Sequence, residues 1–449
     1  MPVLNFRKSR RGYAAAFLRS LPTTALLATV GIALSIPAAF SDPRQTTNTC
    51  SNDSHGCVTS ELLGTAATHS GETLHLTTDL GNVVIHTSNT GKVDYHVHLE
   101  ADASQKDAQK LVTGFKMSPT KSSDGIVLKG QSAGKQCSGR LWVTIDVYVP
   151  AKYSLEASTG GGNIVTDDVN GRATLSTMGG NITTGNIRGA AHLQTSGGHI
   201  TVKNVAGDLT AETGGGHIAA GTIGGNAWLR TVGGHIRVTS VAGLAHLETG
   251  GGNVMLEHSG TQLVAETAGG QIDVGDAAGV VRAKTDGGGI RLSRVSGPTN
   301  LQAPDGSIYL TQVDSAVQAT TRTGGITAWF TAARQHADAS EFTSGGGDIV
   351  VYLPKDLPVT IDARIQKGIA HHVIADPAFP LKVSYDDSAA GTRGVHAEGA
   401  LNGGGELLRL RTVSGDIRVV VSDMNQQIEI YRQQMQELQQ SLISQLEAH

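Results

Sequence analysis

Three histidines, His199, His217 and His235, stand 18 residues apart. Imidazoles offered at equal intervals are the raw material of a zinc, copper or nickel site. If each interval is one coil of a stacked β-structure, neighbouring rings lie ~4.8 Å apart, close enough for two to share an ion. The same position in the flanking units carries Asn163, Asn181, Asn253 and Gln271, and no carboxylate or cysteine joins the set. That series also describes a polar corner, where Asn and His serve local hydrogen bonds. No metal ligand is therefore assigned, and metal binding by a stacked His ladder is held as an alternative function. His192 and His246 fall on a different, outward row three units apart, too distant to join.

Carboxylates are the other chemistry to weigh. Glycan-cleaving enzymes need paired carboxylates, or carboxylates beside a base, gathered on one face. One outward row reads Glu212, Arg230, Glu248, Glu266 and Lys284, while Asp273, Asp276 and Asp286 are scattered by comparison. Alternating sign along a row is a surface charge ladder, each pair worth little. An 18-residue unit also leaves no length for the long loops that wall a cleft. A carbohydrate-active parallel β-helix enzyme is thus an alternative rather than the expectation; no catalytic residue and no cofactor is assigned. Calcium-binding GGxGxD repeats and phosphate loops are absent, because the residue pair after each glycine pair is a spacer and an aliphatic. Dispersed basic residues and missing aromatic rows give no support to nucleic-acid binding.

What positions all these side chains is one repeat. An apolar residue follows a glycine pair and a spacer, as in Gly179-Gly180-Asn181-Ile182, at Ile164, Ile182, Ile200 and onward in steps of 18 to Ile326, without insertion. Such a period is the mark of a solenoid, whose units bury apolar residues only by stacking. Seven residues before the Ile position stands Leu175, Leu193, Ala211, Leu229 or Leu247; two earlier stands Ala173, Ala191, Leu209, Ala227 or Ala245. Large and small alternate between these rows, as a fixed interior volume demands, and residues two apart on a strand share a face. Both rows must face inward. A threonine row (Thr177, Thr195, Thr213 and on to Thr285, then Thr321) is expected to bond hydroxyl to hydroxyl along the stack. The glycine pair is expected to turn the corner with positive φ, and Val169, Ile187 and Val205 to mark a third side. Each coil then has two or three short strands. Ten coils make a rod of roughly 48 Å, and the unequal inward spacing favours a right-handed β-helix. The fold class is all-β, a single-chain parallel β-solenoid.

Composition agrees. Fifty-eight glycines and few aromatics in 449 residues rule out an ordinary packed globule, and a formal charge of −4 supplies no drive toward nucleic acid or anionic membrane. Residues 1–41 read as a signal peptide: a basic stretch Arg7–Arg11, an apolar stretch Leu21–Pro37, and Ala39-Phe40-Ser41 before the cut. Ser9-Arg10-Arg11-Gly12-Tyr13 resembles a twin-arginine signal, and a retained anchor is the other reading. Export makes Cys50–Cys57 a candidate disulfide, with Cys137 left over. Residues 42–73 form a polar linker and 74–150 an N-terminal strand-rich cap. In the cap, alternation at Val93, Tyr95, Val97 and Leu99 and again from Leu141 to Val149 predicts strands, and Ala103–Phe115 a short helix capped by Asp102. Residues 151–422 are the solenoid with a C-terminal strand cap. Further copies of the motif at Phe342–Ile349 and Leu408–Ile417 follow after insertions. Residues 423–449 carry Ile428, Tyr431, Met435, Leu438, Leu442 and Leu446 at helical spacing, an amphipathic helix suited to packing on the rod or to self-association.

Val147-Tyr148-Val149-Pro150 leading into the G-x-I run, with Val351-Tyr352-Leu353-Pro354 and Ser414-Gly415-Asp416-Ile417 near the end, resembles the bacterial putative-adhesin domain family of β-strand repeats. The resemblance covers about Leu74 to Ser422. It implies an exported right-handed β-solenoid of the cell envelope, in the periplasm, on the outer surface or outside the cell, and it brings no catalytic residues. The expected function is a non-enzymatic binding or scaffold protein whose partner is an envelope protein or a glycan.

Overall fold

The computed structural model describes residues 44–49, 56–133, 139–331, 338–377, 379–387 and 393–422. The signal segment, Cys50, the Cys57 side chain, Cys137 and the C-terminal helix lie outside the described residues. The rest is a parallel β-solenoid with one helix among the described residues.

Each 18-residue coil gives two strands, on two opposed sheets. On the first sheet Ala173–Thr177 stacks in parallel on Ser154–Thr159 before it and Ala191–Thr195 after it. On the second, Ile182–Ile187 stacks between Ile164–Thr166 and Ile200–Val205. Register is always residue i on i+18, up to Ile308 on Ile326; the five-residue insertion then carries Ile326 onto Ile349. The Val169–Ile187–Val205 row is not a third side. Ile187 ends the second strand, and its side chain closes the same interior.

Paired volumes fill that interior as expected. Ala191 and Leu193 are buried, as are Leu209 and Ala211 one coil later. The threonine row corrects the expectation of hydroxyl-to-hydroxyl bonding. Buried Thr195 donates its hydroxyl to the Gly180 carbonyl of the preceding coil at 2.8 Å and accepts the Gly198 amide of its own corner at 3.2 Å. Thr213, Thr231, Thr249 and Thr267 repeat the arrangement. Each threonine thus ties two corners together and satisfies backbone groups that a bare turn would bury unpaired.

The glycine pair corrects a second expectation. Among the described residues the positive-φ glycines are Gly71, Gly81, Gly139, Gly403 and Gly404, none of them from a regular coil. The second glycine of each pair is needed for close approach instead: a Cβ on Gly234 stands 1.9 Å from the Gly216 carbonyl oxygen, and one on Gly252 stands 2.0 Å from that of Gly234. The first glycine is not so confined, since a Cβ on Gly233 meets nothing nearer than 3.7 Å.

Both ends of the rod are built out of sequence order. At the start, Thr73–Thr78 and Asn82–Ser88 form a coil lying directly under Ser154–Thr166. Gly125–Gln131 and Arg140–Pro150, later in the chain, lie beneath that coil. At the finish, Glu406–Thr412 and Ile417–Ser422 stack on Ser340–Pro354, and the earlier segments Val359–Ile365 and Val373–Ala375 lie beyond them. Antiparallel strands then pair with the outermost coils. Lys92–Ala103 runs against Arg140–Pro150 and Gly56–Ala67 against Lys92–Ala103; at the other end Arg393–Leu401 runs against Val359–Ile365. These pairings cover the edges they flank, while Val373–Ala375 pairs only with Ile417–Ser422 among the described residues. The helix, Gln105–Gly114, begins at Ser104, whose hydroxyl accepts the Asp107 amide. Asp102 does not cap it, because that residue still belongs to the strand and pairs with Arg140.

Candidate functional site

The corner row holds the three histidines. Ring centroids of His199 and His217, and of His217 and His235, are each 4.9 Å apart, with interplanar angles of 15° and 6°. The spacing matches one coil. Their bonding decides what they do: the Nδ1 of His199 accepts the His217 amide at 2.9 Å, that of His217 accepts the His235 amide at 2.8 Å, and that of His235 accepts the Asn253 amide at 2.8 Å. Asn82, Asn163, Asn181 and Asn253 use their carboxamide oxygens identically. From Asn82 to Gln271 the row is a ladder in which each side chain accepts the next coil's corner amide. An Nδ1 that accepts is unprotonated, so the neutral ring carries its hydrogen on Nε2.

That tautomer bears on metal binding. An ion at Nδ1 would displace a ladder bond; one at Nε2 would require the proton to move to Nδ1, where it opposes the incoming amide. Either route leaves a backbone donor unpaired, at about 1 kcal/mol or more per coil. Among the described residues no three His, Cys, Asp or Glu side chains gather in a way that could hold a metal ion. Burial, and then the neighbouring His235 and His199, hold the His217 imidazole below its ordinary pKa.

The outward rows of the first sheet behave as the sequence indicates, with one addition. Arg230 and Glu248 pair at 3.5 Å on the exposed surface, a contact of small value. Trp228 is the addition. It lies on the row of His192 and His246, is 49 % exposed, and stacks on His246 with ring centroids 4.1 Å apart. The 18-residue spacing puts the two on one row, and their register pairs them directly.

Charged groups also gather at the seam between the first coils. His75 is held between Glu156, 2.8 Å from Nδ1, and Asp124, 3.1 Å from Nε2. The trio links the strand Thr73–Thr78 to Ser154–Thr159 and to the bend that precedes Gly125–Gln131. Nearby, Glu72 takes Lys121 at 2.6 Å and bonds Thr68, which in turn meets the buried Tyr153 hydroxyl at 2.6 Å. Burial works against ionisation of Glu72, yet its bonds from Lys121, Thr68 and His69 outweigh it and lower the pKa to about 2. Asp273, Asp276 and Asp286, scattered in sequence, stay apart. They pair locally with Arg291 at 3.6 Å, His258 at 3.3 Å and Lys284 at 3.7 Å.

A two-sheet stack of short parallel strands with glycine corners is therefore the scaffold on which any site must sit. The model of the Toastrack DUF4097 family matches residues 72–300, just over half of the chain. The chain belongs to the Toastrack DUF4097 family. This Toastrack membership bears out the resemblance drawn from Val147–Pro150 and the G-x-I run, although the matched span stops well short of Ser422. No curated protein matches the Toastrack chain. Solved structures similar to it include a putative cell adhesion protein from Clostridium sporogenes ATCC 15579, at 10% identity over 85% of this chain and 100% of that one, with a TM-score of 0.15. Another is a putative adhesin from Bacteroides fragilis NCTC 9343, at 11% identity over 80% of this chain and 97% of that one, with a TM-score of 0.17. Superpositions this loose carry no argument about what the Toastrack chain does.

Proposed function

We propose that this Toastrack protein is a non-catalytic binding or scaffold protein of the bacterial envelope, exported by its N-terminal segment, which presents the outer faces of its rod to a glycan or an envelope protein. The observation that carries the reading is the first sheet's outer face. Exposed Trp228 stacks on half-buried His246 amid in-register polar rows, and apolar ring faces beside hydrogen-bonding side chains suit a partner with repeating polar and C–H surfaces. The inward positions, corner glycines and threonines are already committed to holding the coils together.

The test is co-sedimentation of the mature protein with cell-wall sacculi and, separately, with envelope vesicles. Depletion from the supernatant by either, reduced by Trp228→Ala with the melting temperature unchanged, is the expected result. Retention in the supernatant with both overturns the proposal, and release of new reducing ends from the sacculi would establish the enzymatic alternative.

A further inference from the structure

The corner ladder is not continuous. Seven bonds link Asn82 through Gln271, and then the series stops. The next corner is Gly289, which has no side chain to give, and among the described residues no bond joins the Gly289 amide to Gln271. The following corner is Ser307, whose hydroxyl resumes the pattern by accepting the Gly325 amide at 3.3 Å. Where the ladder lapses a notch of ≈ 280 Å³ opens, lined by Gln271, Asp273, Gly289, Arg291, Ser307 and Tyr309. Asp273, Arg291 and Tyr309 are consecutive members of one outward row of the second sheet.

The chemistry of this wall is specific. Asp273 and Arg291 approach to 3.6 Å, too far for a hydrogen bond, so the carboxylate oxygens and guanidinium donors keep capacity for a guest. One positive and one negative charge side by side favour neither a free anion nor a free cation. Tyr309 is 42 % exposed, and the Arg291 guanidinium carbon lies 6.0 Å from its ring centroid, at the outer limit of a cation–π contact. Less than half of the Tyr309 surface, but enough for one flat contact, faces solvent. Gln271 and Ser307 add a carboxamide and a hydroxyl, each able to donate and accept. The volume is below the ~300–1,000 Å³ of sites for drug-sized ligands, which limits the guest to about one small ring.

We propose that the notch at Gly289 is a subsite for a single neutral pyranose unit of a glycan. Vicinal hydroxyls bridge Asp273 and Arg291, and the C–H face of the ring lies on Tyr309. This rests on the glycan branch of the function proposed above and names the residues and sugar class for it.

The experiment is binding of the full mature chain to a printed array of neutral and charged glycans, followed by saturation-transfer NMR with the strongest neutral oligosaccharide. Wild type is expected to bind neutral pyranosides in preference to sulfated or cationic ones. Tyr309→Thr should weaken that binding at least tenfold without changing the melting temperature, because threonine occupies the same row at Thr183, Thr201 and Thr327. Asp273→Asn should weaken it several-fold, also with the melting temperature unchanged. Transfer should be strongest from one face of a single ring. No array signal for wild type, or glycan binding that Tyr309→Thr and Asp273→Asn leave unchanged, overturns the subsite. Should the sacculi bind while these two variants behave as wild type, the subsite fails and the envelope function stands.

Discussion

Two stretches of the same rod, the ladder from Asn163 to Gln271 and the lapse from Gly289 to Gly325, share their aliphatic rows and differ at the corners, where the second also carries buried Ala303 in place of a threonine. Ile236 and Val238 in the first are buried like Ile290 and Leu292 in the second, and the second corner glycine is equally tight at Gly234 and at Gly306, where the added Cβ would lie 1.9 and 1.8 Å from the carbonyl below. At the corner row, however, every amide in the first stretch is covered by an Asn or His acceptor, whereas among the described residues no side chain of the row accepts the Gly289 amide and Gly289 offers no acceptor to Ser307. A solenoid can therefore open a surface cavity by deleting one side chain, because the stacking that stabilises it lies elsewhere.

The largest effect tests the shared interior. Leu193→Asp or Leu247→Asp puts an unpaired carboxylate among buried aliphatics, and cooperative melting should be lost, a penalty of at least about 4 kcal/mol; unchanged circular dichroism and melting would refute the packing. Next, Gly234→Ala and Gly306→Ala should each destabilise by about 1–3 kcal/mol through backbone overpacking, while Gly233→Ala stays within about 0.5 kcal/mol. Equal costs for the paired glycines in denaturant titrations would break the distinction between them. Thr231→Val removes the hydroxyl shared by the Gly216 carbonyl and the Gly234 amide, for a loss of about 1–3 kcal/mol.

Smallest, and most diagnostic of the ladder, is the corner itself. His217→Asn keeps an acceptor and should be nearly neutral; His217→Ala should cost about 1 kcal/mol; Gly289→Ala forfeits no ladder bond, and any cost comes from its Cβ 2.9 Å from the Ser307 carbonyl oxygen. The histidines also set a direction with pH. The His217 pKa is lowered in the folded chain, so the unfolded chain binds the proton more readily. Stability from this group is complete above the ordinary imidazole range and declines as pH falls through the depressed folded value. The triple His199→Asn/His217→Asn/His235→Asn variant should flatten that decline in thermal melts. Glu72, lowered from 4.5 to about 2, adds a second loss as pH falls from the ordinary carboxylate range toward 2, which the triple variant leaves intact.

Register, inward rows and the insertion before Phe342 were legible in the sequence because an 18-residue period forces them: Leu193 can be only where Leu175 and Ala211 allow it. Roles that depend on the third dimension were not. Nothing in the recurrence of Thr195 says whether its hydroxyl meets the next threonine or the Gly180 carbonyl, and glycine at 234 is the same letter whether φ or a neighbouring oxygen demands it. The histidines were visible as a row, but the hydrogen on Nε2 follows from a backbone amide one coil away. The notch was present in the text as Gly289 standing where Asn253 and Gln271 precede it. Its partners Asp273, Arg291 and Tyr309 only acquire meaning once the adjacent row is known to flank that corner.

The exchanged order of the terminal coils bears on how such a rod can change its length. The coil of residues 406–422 lies inside the one made by the earlier residues 359–375, just as residues 73–88 lie inside 125–150. A new coil cannot be appended beyond either end without first displacing a segment already lodged there. Duplication or loss of units is open only between the two locks, where successive coils share one register. Length is therefore a variable that unequal copying of the middle can tune, while both ends travel as fixed pieces.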